Sequence, residues 1–247
     1  MRKLLVTAVL LSAAPAAHSL PLIDIYAGAR AWNPEISGDV ATKHQNDISL
    51  DRTLGFDKAR ENVLYVGIEH AVPVLPNVRL SHAKVSDSAR RNLNTAINFD
   101  GHVFTQGSQV RSKIDLEMTD ATLYYSPLNN WLKLDLGLTI RQFKAEFDIL
   151  SASEHAYRKV NETLPMLHVG ARAELPFTGF YAGGAFNGVA YSGSRLTDYT
   201  VNVGWTSDFL LGVELGYSQL DVKLDDVSKV DADFSAKGPY LALGLRF

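Results

Sequence analysis

Five large aliphatic residues, Leu132, Leu134, Leu136, Leu138 and Ile140, alternate with Lys133, Asp135, Gly137 and Thr139, and Arg141 follows in phase. Successive side chains of a strand point to opposite faces, so this spacing gathers the ionisable groups on one face and the aliphatic ones on the other. Charges of both signs on one face can pair into a network, whereas a single-signed row would favour a path for ions. The same composition recurs where Lys113, Asp115 and Glu117 alternate with Ile114, Leu116 and Met118, and again at Arg172, Glu174 and Glu214, with Asp24, Arg30 and Glu69 in similar settings. Two polar clusters offer a different chemistry. His44, Asp47, Ser49 and Asp51 in one segment, and His102 and Ser108 in another, include the residue types of a nucleophile and its base. Neither cluster has the spacing of a defined triad, and geometry rather than composition identifies one, so no catalytic residue is assigned. Metal chemistry finds little support, and no cofactor is implied. The chain has no cysteine, His70 and His82 are isolated, and the acidic run from Asp225 to Asp233 lacks the glycine and spaced ligands of a calcium loop.

The elements that must position these charges are strands. Period-two segments recur from Ile23 to Phe247, separated by turn clusters at Pro73–Asn77, Pro127–Asn130, Pro176–Gly179 and Thr206–Asp208 and by longer polar stretches at 33–62, 87–109, 150–162 and 225–233. In the last strand Leu241, Leu243, Leu245 and Phe247 share one face and Tyr240 the other, leaving an oily edge that needs a partner strand. Four polar or charged side chains on one face of an apolar strand would ruin a soluble sandwich core, but they suit a polar barrel interior wrapped by lipid. The expected fold is therefore all-β, an antiparallel up-and-down transmembrane barrel of about ten strands, with eight as the alternative. At the other end Arg2 and Lys3, the apolar run Leu4–Ser12 and Ala17-His18-Ser19 read as a signal peptide over 1–19, leaving 20–247 as one barrel domain. A formal charge of −3 gives no reason to expect nucleic acid.

The terminal strand, ending Tyr240-Leu241-Ala242-Leu243-Gly244-Leu245-Arg246-Phe247, resembles the last strand of Gram-negative outer-membrane β-barrel proteins, which implies that it serves as the signal read by the barrel-assembly machinery. More narrowly, Glu69 to Asn77, Asp120 through Tyr125, and Asp231 to Phe234 with Lys237-Gly238-Pro239 resemble a family of uncharacterised Gram-negative outer-membrane barrels of similar length. The resemblance implies fold and location, with no activity attached to particular residues.

These readings set detailed expectations. Lys113, Asp115, Glu117, Lys133, Asp135, Arg141, Arg172, Glu174 and Glu214 are expected to line a narrow, plugged lumen. The apolar face changes phase after Met118 and again near Ser218, as β-bulges would cause. With Ser126 opposite Trp131, Asp115 then pairs with Arg141. Short turns face the periplasm and long polar segments face outward as loops. The expected role is structural, surface-binding or small-solute, in a monomer embedded among outer-membrane lipid and lipopolysaccharide. An enzyme acting on lipid A or surface substrates is the alternative.

Overall fold

Fourteen strands account for the regular structure of a computed structural model that describes residues 23–42, 45–207 and 209–247. The expected signal peptide and His44 lie outside the described residues. The strands are β1 (Ile23–Trp32), β2 (Glu35–Thr42), β3 (Ile48–Ser49), β4 (Arg60–His70), β5 (Asn77–Asn92), β6 (Ile97–Phe99), β7 (His102–Phe104), β8 (Gln109–Asn129), β9 (Leu132–Leu150), β10 (His155–Glu174), β11 (Phe180–Tyr191), β12 (Ser194–Thr206), β13 (Leu211–Val227) and β14 (Val230–Arg246). Ten of them, β1, β4, β5 and β8 to β14, pair antiparallel in chain order and close into a barrel where β1 meets β14, with Ala29 opposite Leu243. The terminal strand is thus a closing strand, and its edge is satisfied on both sides.

Outward faces carry the aliphatic residues. On β9, Leu136, Leu138 and Ile140 are exposed, as are Leu64, Val66 and Ile68 on β4 and Leu241, Leu243 and Leu245 on β14. At about 3.4 Å per residue and a tilt near 40°, the run Leu132 to Ile140 covers on the order of 20–25 Å, the height of a bilayer's apolar band. Tyr125, Phe180, Trp205, Phe209 and Phe247 are exposed beside the short turns, where amphipathic rings favour the edge of this band.

Neither expected bulge exists. Strands β8 and β9 pair without interruption from Arg111 through Tyr125, and β13 and β14 from Leu211 through Leu224. The chain keeps its register while its polarity inverts. One outward row, Leu80, Ala121, Ile140 and Pro165 across β5, β8, β9 and β10, is apolar; the next, His82, Thr119, Gln142 and Thr163, is polar. Inside, the exchange runs the other way at the same level: Asp120 and Arg141 give way to Met118 and Phe143. Beyond this seam the bore is packed with Val63, Val85, Ile114, Leu116, Phe147 and Val222, all buried.

The long polar stretches accordingly include much strand rather than free loop. β5 runs on to Asn92, β10 begins at His155, and β13 and β14 meet through Ser228 and Lys229, both at positive φ (52° and 65°) as a tight hairpin turn needs. Past Pro34, β2 continues along β14, and Leu50, Leu54 and Phe56 from the following segment fill the apolar bore. The hairpin β6–β7 spans the mouth. Its Asp100 amide donates to Thr42 Oγ1 on β2 at 2.9 Å, while the Asp100 carboxylate pairs with Arg158 and His102 with Glu154 beside β10.

Two substitutions on β9 separate the environments. Leu138→Arg should cost about 2–4 kcal/mol of folding free energy in a bilayer or detergent micelle, and Phe143→Ala about 3–5 kcal/mol through the cavity left in the apolar bore. Urea titration of the two variants checks both values. Little loss from Leu138→Arg would mean that this face does not meet lipid.

Candidate functional site

Below the seam the wall of the lumen is built from tyrosine laid over glycine. Tyr26 faces Gly67, Tyr65 faces Gly28, Tyr181 faces Gly204 and Tyr240 faces Gly216 on the neighbouring strand. In each case a β-carbon on the glycine would overlap the tyrosine ring, so only glycine lets the ring lie flat against the wall. Tyr124 also sits opposite Gly137, but there the Leu123 carbonyl and the Tyr124 Cα and Cβ, rather than the ring, close the space.

Cations lie over these plates. The Arg172 guanidinium is 3.6 Å from the Tyr181 ring centroid, Arg30 is 4.9 Å from Tyr240, Arg79 is 5.1 Å from Tyr65, and the Lys133 ammonium is 5.9 Å from Tyr124. The electron-rich ring face compensates part of what a cation loses on leaving water.

Carboxylates complete the network. Arg141, 4% exposed, donates from Nε and Nη2 to the two oxygens of Asp120 at 2.8 and 2.6 Å, and from Nη1 to Asp198 at 2.6 Å. Asp198 also accepts from Asn187 Nδ2 at 2.9 Å, and the Asn187 carbonyl accepts from Thr139 and from the His168 ring. Nearer the short turns, Glu69 accepts from Lys133, from the Tyr124 hydroxyl at 2.8 Å and from Arg246 at 3.1 Å, while Arg246 also donates to Asp24 at 2.6 Å. Glu214 accepts from the Tyr240 and Tyr181 hydroxyls at 2.6 and 3.0 Å. Two cavities follow the axis, one of about 320 Å³ amid this network and one of about 760 Å³ at the short-turn mouth. Glu69 and Arg246 line both.

The expected lumen set divides. Lys133, Asp135, Arg141, Arg172 and Glu214 line the inner cavity, with Asp24, Arg30 and Glu69 on the same side of their strands. Glu174 pairs with Arg172 at 3.0 Å near the mouth. Lys113, Asp115 and Glu117 are on the outer face instead, because the register runs unbroken and their inward neighbours are Ile114, Leu116 and Met118. Asp115 therefore stands opposite Glu146, not near Arg141, whose strand partner is Asp120. The expected pairing at the turn is also displaced. Tyr124 opposes Gly137, and β8 carries its one irregularity between Tyr125 and Leu128. Arg79, the bonds from Arg141 to Asp120 and Asp198, and the stacking of tyrosine on glycine escaped the sequence reading. Asp120 and Tyr124 are inward with a bulge or with an inversion of polarity; the two differ in the placement of Lys113, Asp115 and Glu117.

Outside, above the seam, the charges form cross-strand pairs open to water. Glu117 bonds Lys144 at 3.1 Å, and Lys159 bonds Glu146 at 2.7 Å. The hydrogen bond from Lys144 holds the Glu117 carboxyl below its ordinary value, and Lys159 is raised by its bond to Glu146. Partial burial pushes Asp115 up, but hydrogen bonds from Lys113 and Ser86 outweigh it and leave the carboxyl lowered, with Lys113 raised in turn.

Among the described residues, the members of the two polar clusters make local contacts. Ser49 donates to Asp51 at 2.8 Å, which lowers that carboxyl and closes a local turn capped by the Arg52 amide. Asp47 lies in the same mouth segment without joining them through any hydrogen bond. His102 pairs with Glu154, whereas Ser108 shares its hydrogen bond with Thr105.

The architecture has known counterparts. The chain is similar to the translocator domain of the autotransporter NalP from Neisseria meningitidis, at 10% identity over 94% of this chain and 90% of that one, with a TM-score of 0.50. It is similar also to the outer membrane protease OmpT from Escherichia coli, at 11% identity over 91% of this chain and 97% of that one, with a TM-score of 0.52. No protein-family model and no curated protein sequence matches the chain. The likeness establishes the fold, that of outer-membrane β-barrels.

Arg141→Met should destabilise the barrel by about 3–5 kcal/mol, because it leaves Asp120 and Asp198 buried without their cation. Adding Asp120→Asn and Asp198→Asn should restore part of the loss, and a loss confined below ~1 kcal/mol in the single variant would show that water already carries the two acids. Among the exterior pairs, the Asp115 and Glu117 carboxyls are lowered, so their contribution is present above the ordinary carboxylate values of about 4 and disappears as pH falls through the lower folded values. Lys113 and Lys159 are raised, so theirs holds below the ordinary value of about 10.4 and disappears as pH rises through the folded values. Amide exchange on the outer ends of β8 and β9 should therefore be insensitive to pH-linked opening between about pH 5 and 9, and protection should fall on further acidification.

Proposed function

We propose that this chain is an integral protein of the bacterial outer membrane that holds a folded head on the cell surface and does not act as a pore. One observation carries the reading. Past the seam the bore is filled by a continuous apolar core in which Phe143, Ile114, Leu116, Phe99 and Phe104 are almost wholly buried. A polar plug can rearrange to pass water and ions; an apolar one has no groups with which to solvate them. Barrel size agrees, since eight strands hold little more than their own side chains and open porins need about sixteen.

In this orientation the short turns and Phe247 face the periplasm, and β2, β3 and the hairpin β6–β7 cap the extracellular end. Lipid and lipopolysaccharide contact the outer wall of a monomer, the assembly machinery reads the strand ending in Phe247, and binding is the work of the exposed head. The chemistry is binding rather than catalysis, a reading supported by the engagement of Ser49, His102 and Ser108 in local contacts.

In planar bilayers the purified monomer should give no large steady conductance. Replacing Lys133 or Arg141 with alanine should leave it silent, because the seal lies beyond them, whereas deleting residues 46–56 should open a path. Steady steps from the intact monomer, or opening by Lys133→Ala, would refute the apolar seal. Deleting Phe247 should reduce assembly, read as loss of the heat-modifiable band on a gel.

A further inference from the structure

The network leaves three ionisable groups without a partner. Arg30 and Arg79 rest on aromatic rings, and no hydrogen bond or ion pair to either guanidinium is formed among the described residues. Both have a buried Nε with nothing to donate to. Glu61, 2% exposed, has two buried carboxylate oxygens and no donor to either. Arg30 and Arg141 are the opposite charges that act on it most, and neither is in salt-bridge contact with it. All three groups line the 320 Å³ inner cavity. Every other arginine and lysine of that lining, Lys133, Arg141, Arg172 and Arg246, has a carboxylate.

A buried, uncompensated charge is costly, so the unpaired set is a description of what the cavity lacks. Two guanidiniums lack an oxyanion, and one carboxylate lacks a donor. Glu61 faces Trp32 and Arg30 faces Val63, only two residues apart along the wall, whereas Arg79 faces Gly67 further toward the short turns. Water alone can bridge Arg30 and Glu61, but a single small molecule meets both demands at once: a carboxylate for Arg30 and an ammonium for Glu61. The aromatic faces of Trp32 and Tyr240, which flank Arg30, add an apolar wall for its carbon atoms. The apolar core closes the extracellular side. The wider cavity at the periplasmic mouth shares Glu69 and Arg246 with the inner one, so the route inward passes the ring that these two form with Asp24 and Lys133.

We propose that the lumen is a blind, periplasm-facing pocket that binds a small amino-acid zwitterion, its carboxylate on Arg30 and its ammonium on Glu61. This goes beyond the sealed-barrel reading and survives if the head proves to bind nothing. Calorimetry on the full refolded chain in detergent, with glycine, acetate and methylammonium as probes at matched ionic strength, tests it. Glycine should bind saturably and at least tenfold more tightly than acetate or methylammonium. Arg30→Gln should weaken glycine and acetate alike by tenfold or more, whereas Glu61→Gln should remove the advantage of glycine over acetate and leave acetate unchanged. Lys223→Gln, on the outer wall, should change nothing. Heat-modifiable migration confirms that each variant is folded. If a variant does not fold, crystals of the unaltered protein soaked in selenate locate the oxyanion subsite, with anomalous density expected beside Arg30. Absence of saturable glycine binding up to about 100 mM, equal affinities for glycine and acetate, or selenate density only elsewhere would each overturn the proposal and leave a water-filled cavity.

Discussion

A strand that leaves a bilayer for water has to exchange the roles of its two faces, because the medium outside it changes while the medium inside does not. Within the apolar band the outward residue must be oily and the inward one takes the polar groups; above it the outward residue meets water, and burying apolar surface inside becomes the favourable choice. Strands β5, β8, β9 and β10 make this exchange at one register row, between Ile140 and Gln142 on β9 and between Leu80 and His82 on β5. Everything else follows from where that row lies. The charges below it are driven to the lumen, and the side chains above it form a core like that of a soluble protein.

The charged lumen is made tolerable by layering. Glycine on one strand lets tyrosine from the next lie flat, and the flat ring presents its face to an arginine or lysine. The hydroxyl at the far edge of the same ring is then free to donate to a carboxylate, as Tyr124 does to Glu69 and Tyr240 to Glu214. One residue type thus serves as wall, cation platform and donor. Such a network fixes a unique arrangement more than it adds stability, since desolvation offsets much of the attraction within each pair. Arg141, held by two aspartates from two strands, ties β8, β9 and β12 together at the level of the seam.

The head and the lumen are consequently separate in chemistry though continuous in backbone. The mouth is bridged by the hairpin β6–β7, which reaches Thr42 on one side and Arg158 on the other, and the segment carrying Leu50, Leu54 and Phe56 packs beneath it. A ligand at the surface and a ligand in the lumen would meet different solvents and different charges.

The all-β class, the number of strands, the four short turns and the outward faces of β1, β9, β10 and β14 were legible in the sequence, because alternation with period two is a local property and lipid enforces it strictly. The inward residues Lys133, Asp135, Arg141, Arg172 and Glu214 could be read for the same reason. What alternation cannot report is the medium on either side. At Met118 and again at Ser218 the apolar phase changes, and a β-bulge and an inversion of environment leave the same trace in the sequence. Only the uninterrupted pairing of β8 with β9 and of β13 with β14 decides between them, and with it the placement of Lys113, Asp115 and Glu117 outside. Register at the turn after Tyr125, the partners of Arg141, and the isolation of Arg30, Arg79 and Glu61 were likewise settled by tertiary structure. Each depends on which strand stands opposite at a given height, a relation between residues tens of positions apart that no local pattern encodes.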